Sequence, residues 1–438
     1  MDSVKKDIQN LIKSEFPMIK SQEDLLRVLN SINENLYSRY FLSNNKTVPK
    51  IELKTLTFYK NPKVSGNHRY KTFTIKKKSG KDRVISAPAK GLKLIQQCLN
   101  EIFQAYYEPN DYACGFVPGR NIVDGAKMHT NMPYVLNLDL KDFFDTITFP
   151  RVKKVLSLPP YNLNGDREKL GYIITSLCCH PKNVMIIDGD GNEQVQTRNC
   201  LPQGAPTSPI LTNIVCRSLD RHLAGLARRF HANYSRYADD ITFSCHYNIF
   251  KKDSEFSNEV IRIIEEEQGL TVNQDKTRLQ TPRQRQEVTG LIVNKKVNVT
   301  KRYVKQIRLW LHYWEVFGLK RAQQYFIKQY LVNRENFKNT QTAQLENVLA
   351  GKLDFMRMVV GEANHNYKQL KERYETLVRK DIYKNKVKRL EGTKTDKAVD
   401  FIATSDGIQR KPQNEPFVPN EELEVLLNGL IDDLENDN

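Results

Sequence analysis

No apolar run in the 438 residues approaches the ~20 that a helix needs to cross a bilayer, and Met1-Asp-Ser-Val-Lys-Lys leads into no hydrophobic leader core. The expectation is a soluble, cytoplasmic protein. Cysteine is sparse: Cys98, Cys114, Cys178, Cys179, Cys200, Cys216 and Cys245 are odd in number, scattered and set mostly among apolar neighbours, which argues against a disulfide framework. No Cys-x-x-Cys or Cys-x-x-His pair has zinc-finger spacing, and Cys178-Cys179-His180 reads as a helix end, so zinc is not expected. Asp188-Gly-Asp190-Gly-Asn192 opens like a calcium loop. Glu193, however, stands where that loop requires glycine, and Asn199 where it requires a bidentate glutamate, so the stretch reads as a hairpin turn. Internal repeats are lacking as well.

Negative charge is in deficit. With 68 Lys and Arg against 51 Asp and Glu the chain carries +17, which suits a polyanionic partner because neutralising phosphates releases condensed counterions. Nucleic acid is the first candidate and an anionic membrane surface the second. The hydrophobic content of 39% is enough to give cores to two or three packed units at this length.

Residues 1–50 form a helical lead-in, with Ile8, Leu11, Ile12 and then Leu25, Leu26, Val28, Leu29 and Ile32 recurring at three and four. From 51 to 297 strands and helices alternate. Tyr70–Ile75 and Arg83–Ile85 read as strands, followed by a helix through Leu92, Ile95, Leu99 and Ile102. A strand from Tyr134 closes near Asp139, and a helix is expected over Ile210–Leu226 after Leu201-Pro-Gln-Gly-Ala-Pro-Thr-Ser-Pro209. Residues 298–383 are helical in pattern, and 384–415 read as a linker rich in Lys, Thr, Asp, Gly and Pro. The last stretch, 416–438, follows Glu415 and inverts the charge: from Glu415 onward there are eight acids and no Lys or Arg, leaving residues 1–414 at +25. Leu423, Leu426, Leu427, Leu430, Ile431 and Leu434 fall on one face of a helix and acids on the other. Such a tail suits an inhibitor of a basic channel, a docking helix for an effector or for self-assembly, or packing within its own chain.

The chemistry centres on Tyr234-Ser-Arg-Tyr237-Ala-Asp239-Asp240-Ile-Thr-Phe243. Aromatic and β-branched residues flank Ala-Asp-Asp, so the segment reads as strand, turn, strand with two carboxylates at the tip. Metal-assisted transfer to phosphorus uses two ions about 4 Å apart, and a third carboxylate from a neighbouring strand completes their ligands. Leu136-Asn-Leu138-Asp139-Leu-Lys-Asp142-Phe143-Phe144-Asp145 supplies it: Asp139 closes a strand, while Asp142 or Asp145 is expected to cap the next helix.

These segments, in this order, resemble successive motifs of bacterial retron-type reverse transcriptases. The resemblance extends from about Tyr70 to Gly290 through Ile75-Lys-Lys-Lys-Ser-Gly-Lys-Asp-Arg83, Cys114-Gly-Phe-Val-Pro-Gly-Arg120, the Leu-Pro-Gln-Gly block and Gly269-Leu-Thr-Val-Asn-Gln-Asp-Lys276. Val288-Thr-Gly290 matches one further retron signature, and Gly125-Ala126-Lys-Met-His129 matches another with glycine in place of asparagine. The resemblance implies an α+β right-hand polymerase: fingers and an antiparallel-sheet palm over 51–297, and a helical thumb over 298–383. Two Mg²⁺, or Mn²⁺ in their place, are implied at Asp139, Asp239 and Asp240, with the Leu140 backbone as a further oxygen. Lys77 and Arg83 would grip the incoming triphosphate, and Phe144 would exclude a ribose 2′-hydroxyl. Gln203 and Gly204 would let a loop approach the templating pair. Lys276 would act as general acid towards pyrophosphate.

Nucleic acid would be met by Arg120, Lys301, Arg302, Lys305 and Arg308, while Trp310 and Trp314 are expected in the core rather than under bases. The implied partners are dNTPs, a structured non-coding RNA template and its cDNA product, and the implied setting is antiviral defence in the bacterial cytoplasm. A group II intron maturase and a structural RNA-binding scaffold are the rival readings.

Overall fold

Apolar spacing of three and four dictates the opening helices. In a computed structural model, which describes residues 2–43, 47–76, 82–187, 193–332 and 343–395, Asp2–Glu15 and Gln22–Ser43 are helical. They bury Ile8, Ile12, Leu25, Val28, Leu29 and Ile32 against the helix Lys90–Tyr106, which contributes Leu92, Ile95, Leu99 and Ile102. Burying each such side chain contributes about 1.5–3 kcal/mol. The chain divides into two units, Met1–Asn298 and Val299–Asn438.

Among the described residues the first unit holds ten strands: β1 (Tyr70–Lys76), β2 (Asp82–Pro88), β3 (Tyr134–Asp139), β4 (His180–Ile187), β5 (Glu193–Cys200), β6 (Asn233–Tyr237), β7 (Asp240–Cys245), β8 (Arg278–Gln280), β9 (Glu287–Val288) and β10 (Leu291–Ile292). Four of them make the central sheet, in the order β6-β7-β3-β8, with every pair antiparallel. Its apolar faces are sealed by helices. Leu219, Leu223 and Leu226 of Arg217–Arg229 and Phe256 of Glu255–Ile261 join Tyr234 and Phe243 in one core, and the Phe243 and Phe256 rings meet edge to face at 5.1 Å.

Three expectations change in detail. The helix expected over Ile210–Leu226 is two, Ser208–Val215 and Arg217–Arg229. The first is buried almost all round and the second is amphipathic, so one straight rod would not satisfy both; the chain turns at Cys216 (φ −80°, ψ 6°). Neither acid expected to cap a helix does so. Asp142 holds the N-cap position of Phe143–Thr146 at φ 48°, but its side chain accepts no capping hydrogen bond, and Asp145 pairs with Lys182 at 2.5 Å. Third, the stretch expected to be a linker from residue 384 is helical through Thr395, where lysine, arginine, leucine and glutamate favour a helix. The hairpin turn at Asp188–Asn192, Lys77 and the acidic tail 416–438 lie outside the described residues, although β4 and β5 pair from His180↔Cys200 to Ile187↔Glu193.

In the second unit Lys301–Val332, Leu345–Val360 and His365–Thr395 pack around Ile307, Leu311, Leu349, Leu353 and Leu370. Gly318, at φ 75°, interrupts the first helix. Both tryptophans are core: Trp310 meets Phe326 edge to face at 5.2 Å, and buried Trp314 donates its indole N–H to Asp381 at 2.7 Å. All seven cysteines are buried and free. Among the described residues no helix is long and apolar enough to cross a membrane.

Candidate active site

Strand pairing brings the three aspartates to one end of the central sheet. In the β6–β7 hairpin Tyr237 pairs with Asp240, so the turn is Ala238-Asp239, with Ala238 at φ 56°. On the other side of β7, Asp240 pairs with Asp139, the last residue of β3, and directly opposed residues bring their Cβ atoms to about 5 Å. The Leu140 amide donates to the Asp239 carbonyl at 3.1 Å, tying the end of β3 to the turn.

A second chain segment meets the same corner. The Lys141 amide donates to the Thr271 carbonyl and the Asn273 amide to the Asp139 carbonyl, both at 2.8 Å. These bonds carry Asn273 and Lys276 to the Asp139 carboxylate: Lys276 Nζ lies 2.7 Å from Oδ1, and Asn273 Nδ2 donates to Oδ2 at 3.0 Å. Burial lifts the Asp239 carboxyl above its ordinary value, and the Asp139 charge lifts it further. Asp240 keeps an exposed edge, yet lost hydration, followed by the charges of Asp239 and Asp139, pushes its carboxyl up to about 6. Lys276 opposes both shifts, joined by Arg83 at Asp239 and Arg278 at Asp240.

The donor set is therefore all oxygen, crowded and short of positive charge, which fits a hard divalent cation. Among the described residues no group of three His, Cys, Asp or Glu side chains is arranged to hold an ion as it stands, and Asp139 spends both its oxygens on Lys276 and Asn273.

Residues 75–303 match the family model described as reverse transcriptase (RNA-dependent DNA polymerase), just over half of the chain. This chain belongs to the reverse transcriptase family. Its relatives include the retron Mx65 and Mx162 reverse transcriptases of Myxococcus xanthus, 38% identical over 250 residues and 34% over 257. Those alignments cover 56% of this chain and 55% and 52% of the two relatives, so the chain spans about half their length. The retron Ec86 reverse transcriptase of Escherichia coli is 31% identical over 252 residues, covering 57% of this chain and 71% of that one. The architecture is accordingly the α+β right-hand polymerase fold, of the retron type.

The other site residues expected of this chain fall unequally. Arg83 is exposed on β2. Phe144 is half-buried, with its ring edge-on to Phe143 at 5.7 Å, five residues beyond the end of the strand that carries Asp139. Gly204 has φ 123°, and a Cβ there would meet the Ser86 carbonyl at 2.8 Å; the Gln203 carbonyl accepts from the Ser86 amide at 2.8 Å. The close approach that requires glycine is thus to β2 of the same chain. Arg120 donates through Nη1 to the Asn110 and Ala113 carbonyls, so the guanidinium expected on nucleic acid is used to hold its own loop. In the second unit Lys301, Arg302, Lys305 and Arg308 are exposed along one helix, with Arg308 donating to Asn366 at 3.2 Å.

Sequence reasoning missed the group that braces the Ala238-Asp239 turn. Arg236, fully buried on β6, forms a forked pair with Asp220 at 2.6 and 2.8 Å and also donates to the Ala238 carbonyl at 3.1 Å. Tyr234 and Asn110 complete the Asp220 carboxylate at 2.8 and 2.9 Å. Burial opposes the Asp220 charge, but Arg236 and these donors outweigh it and hold the carboxyl below its usual range. An arginine followed three residues later by the paired aspartates was the only signal available.

His129, the histidine of the altered retron signature, bridges Ser244 and Ser235 at 2.8 Å through its two ring nitrogens, across β7 and β6. Gly125, in place of asparagine, has Cys114 3.3 Å from where its Cβ would be. Burial pushes the His129 pKa down to about 3. An unfolded histidine protonates near 6.5, so the unfolded state takes up a proton that the folded state refuses; the stability that neutral His129 contributes is complete above that pH and lost below it. Urea melts should show wild type losing about 2 kcal/mol more than His129→Gln between pH 7 and 5. Parallel losses in the two proteins would contradict this.

Proposed function

We propose that the chain is an RNA-directed DNA polymerase that copies a structured non-coding RNA into cDNA, serving antiviral defence in the bacterial cytoplasm. The observation that carries the reading is the register that sets Asp139 opposite Asp240 beside the Ala238-Asp239 turn, within a chain of the reverse transcriptase family. Asp139, Asp239 and Asp240, with the Leu140 carbonyl as a further oxygen, would hold two Mg²⁺ or Mn²⁺. When bound, these ions acidify a primer 3′-hydroxyl and neutralise charge on the α-phosphate of the dNTP and on leaving pyrophosphate.

The chain's own residues do the remainder. Arg83 and Lys77 hold the triphosphate, Arg83 as a planar fork and Lys77 as a point charge. Phe144 places a ring against the sugar and so favours deoxyribose. Gln203 and Gly204 place backbone under the nascent pair, and Lys276 donates a proton to pyrophosphate as it leaves. Fingers and palm are assigned to 51–297 and the thumb to 298–383, where Lys301, Arg302, Lys305 and Arg308 grip the template–product duplex. Residues 416–438 are assigned to an effector or to self-assembly.

Purified protein with its co-purifying RNA should incorporate labelled dNTPs in a reaction abolished by prior RNase treatment and by EDTA. Protein that assembles with RNA but incorporates nothing under any divalent metal would favour the scaffold reading instead.

A further inference from the structure

A second feature of the first unit lies apart from the aspartates. A cavity of about 590 Å³ opens between the helix Arg217–Arg229, which packs on β6, and the segments 106–112 and 158–161. One wall is cationic. Arg217, Arg221 and Arg228 recur at four and seven along the helix, fall within about 40° of one another around its axis and span roughly 16 Å. All three are exposed. Glu108, 3.8 Å from Arg217, is the only carboxylate paired with any of them among the described residues, so the wall keeps a net positive charge. The facing wall is aromatic: Tyr106, Tyr107 and Tyr112 are each half-buried there, and the buried Tyr107 hydroxyl has no hydrogen-bond partner among the described residues.

We propose that this groove binds a single-stranded RNA segment, distinct from the strand being copied. Three cations in a line match a polymer that carries one negative charge per nucleotide. The half-buried tyrosines facing them leave apolar ring surface in the groove for unpaired bases to pack against. A duplex is a poor occupant, because its bases are sealed from the aromatic wall. The inference rests on the RNA-templated polymerase reading and deepens it: the protein would hold its RNA at a place where no chemistry occurs.

The test uses full-length protein and a fluorescent oligouridylate of about 12 nucleotides, comparing wild type with Arg221→Gln/Arg228→Gln. The variant should bind about tenfold more weakly near 0.1 M salt. Its plot of log affinity against log salt should be shallower by about 1.4, the share of two phosphates on a single strand. Photocrosslinks from 4-thiouridine RNA should map to 106–112 in wild type. Extension of a short primer on a short template should not change, since among the described residues no hydrogen bond or ion pair links either arginine side chain to the three aspartates or to the Asp220–Arg236 pair.

Unchanged oligouridylate affinity and salt slope would overturn the proposal, as would crosslinks confined to other segments; a groove that instead retains a protein partner would give the first of these results. Primer extension on the same preparations separates the two readings. Synthesis with unaltered RNA binding defeats the groove alone, and wild type without synthesis defeats the polymerase reading.

Discussion

Asp240→Asn and Asp239→Asn should each lower DNA synthesis by about a thousandfold or more, the consequence of losing several kcal/mol of metal-dependent charge stabilisation. The fold should not suffer. Asp240 is pushed up to about 6 by lost hydration and by two neighbouring carboxylates, so it is ionised at neutral pH only at a cost to the stability of the fold. An amide of the same shape relieves that repulsion, and the melting temperature should stay level or rise. RNA affinity should likewise stay level or improve, because one negative charge leaves a basic protein. Primer extension, thermal melts and RNA titration on the same preparations therefore distinguish a lost reaction from lost folding. Wild-type synthesis by either variant would remove these residues from the chemistry. Synthesis lost together with a large fall in melting temperature would make their role structural.

The local signals in the chain were strong where chemistry and secondary structure coincide. Tyr237-Ala-Asp239-Asp240 announces a hairpin because Asp tolerates a turn while Tyr, Ile, Thr and Phe prefer a pleat, and the paired strands β6 and β7 agree. Asp139 was legible as a strand end. That it pairs with Asp240 is a matter of register between segments a hundred residues apart, and register leaves its mark only in the alternation of buried and exposed positions. Because β7 is buried over Ile241–Cys245, that alternation is erased.

Polar residues buried by tertiary contact were the least legible. Arg120, at the end of the Cys114–Arg120 motif, is expected on nucleic acid, yet it holds the Asn110 and Ala113 carbonyls. Asn273 drew no attention although it shares Asp139 with Lys276, and only the pairing of Lys141 with Thr271 brings it there. Gly204 is expected to pass close to the templating pair, whereas the close approach in the structure is to the Ser86 carbonyl, which no local pattern reveals.

The same distinction sets the second large effect, on stability. Asp220→Asn keeps the shape of the side chain and leaves the Arg236 guanidinium buried without its counter-charge, a change that costs about 3–5 kcal/mol when one partner of a buried pair is removed. At about 2–4 °C per kcal/mol for a unit of this size, the melting temperature should fall by roughly 10 °C. Arg236→Lys should behave differently. Lysine keeps a charge for Asp220 but cannot form the fork and reach the Ala238 carbonyl at once, so synthesis should fall further than stability does.

Acid should act on the pair as the Asn variant does. The Asp220 carboxyl is held below its ordinary range, so the stability it contributes is complete at neutral pH and lost as pH falls below about 4. A double replacement, Asp220→Leu with Arg236→Met, should recover much of the stability lost by Asp220→Asn, since two apolar side chains leave no charge to neutralise. It should not recover synthesis, because the Ala238 carbonyl, one residue from Asp239, would still lack its donor. If that double variant polymerises at the wild-type rate, Arg236 serves the core and not the turn.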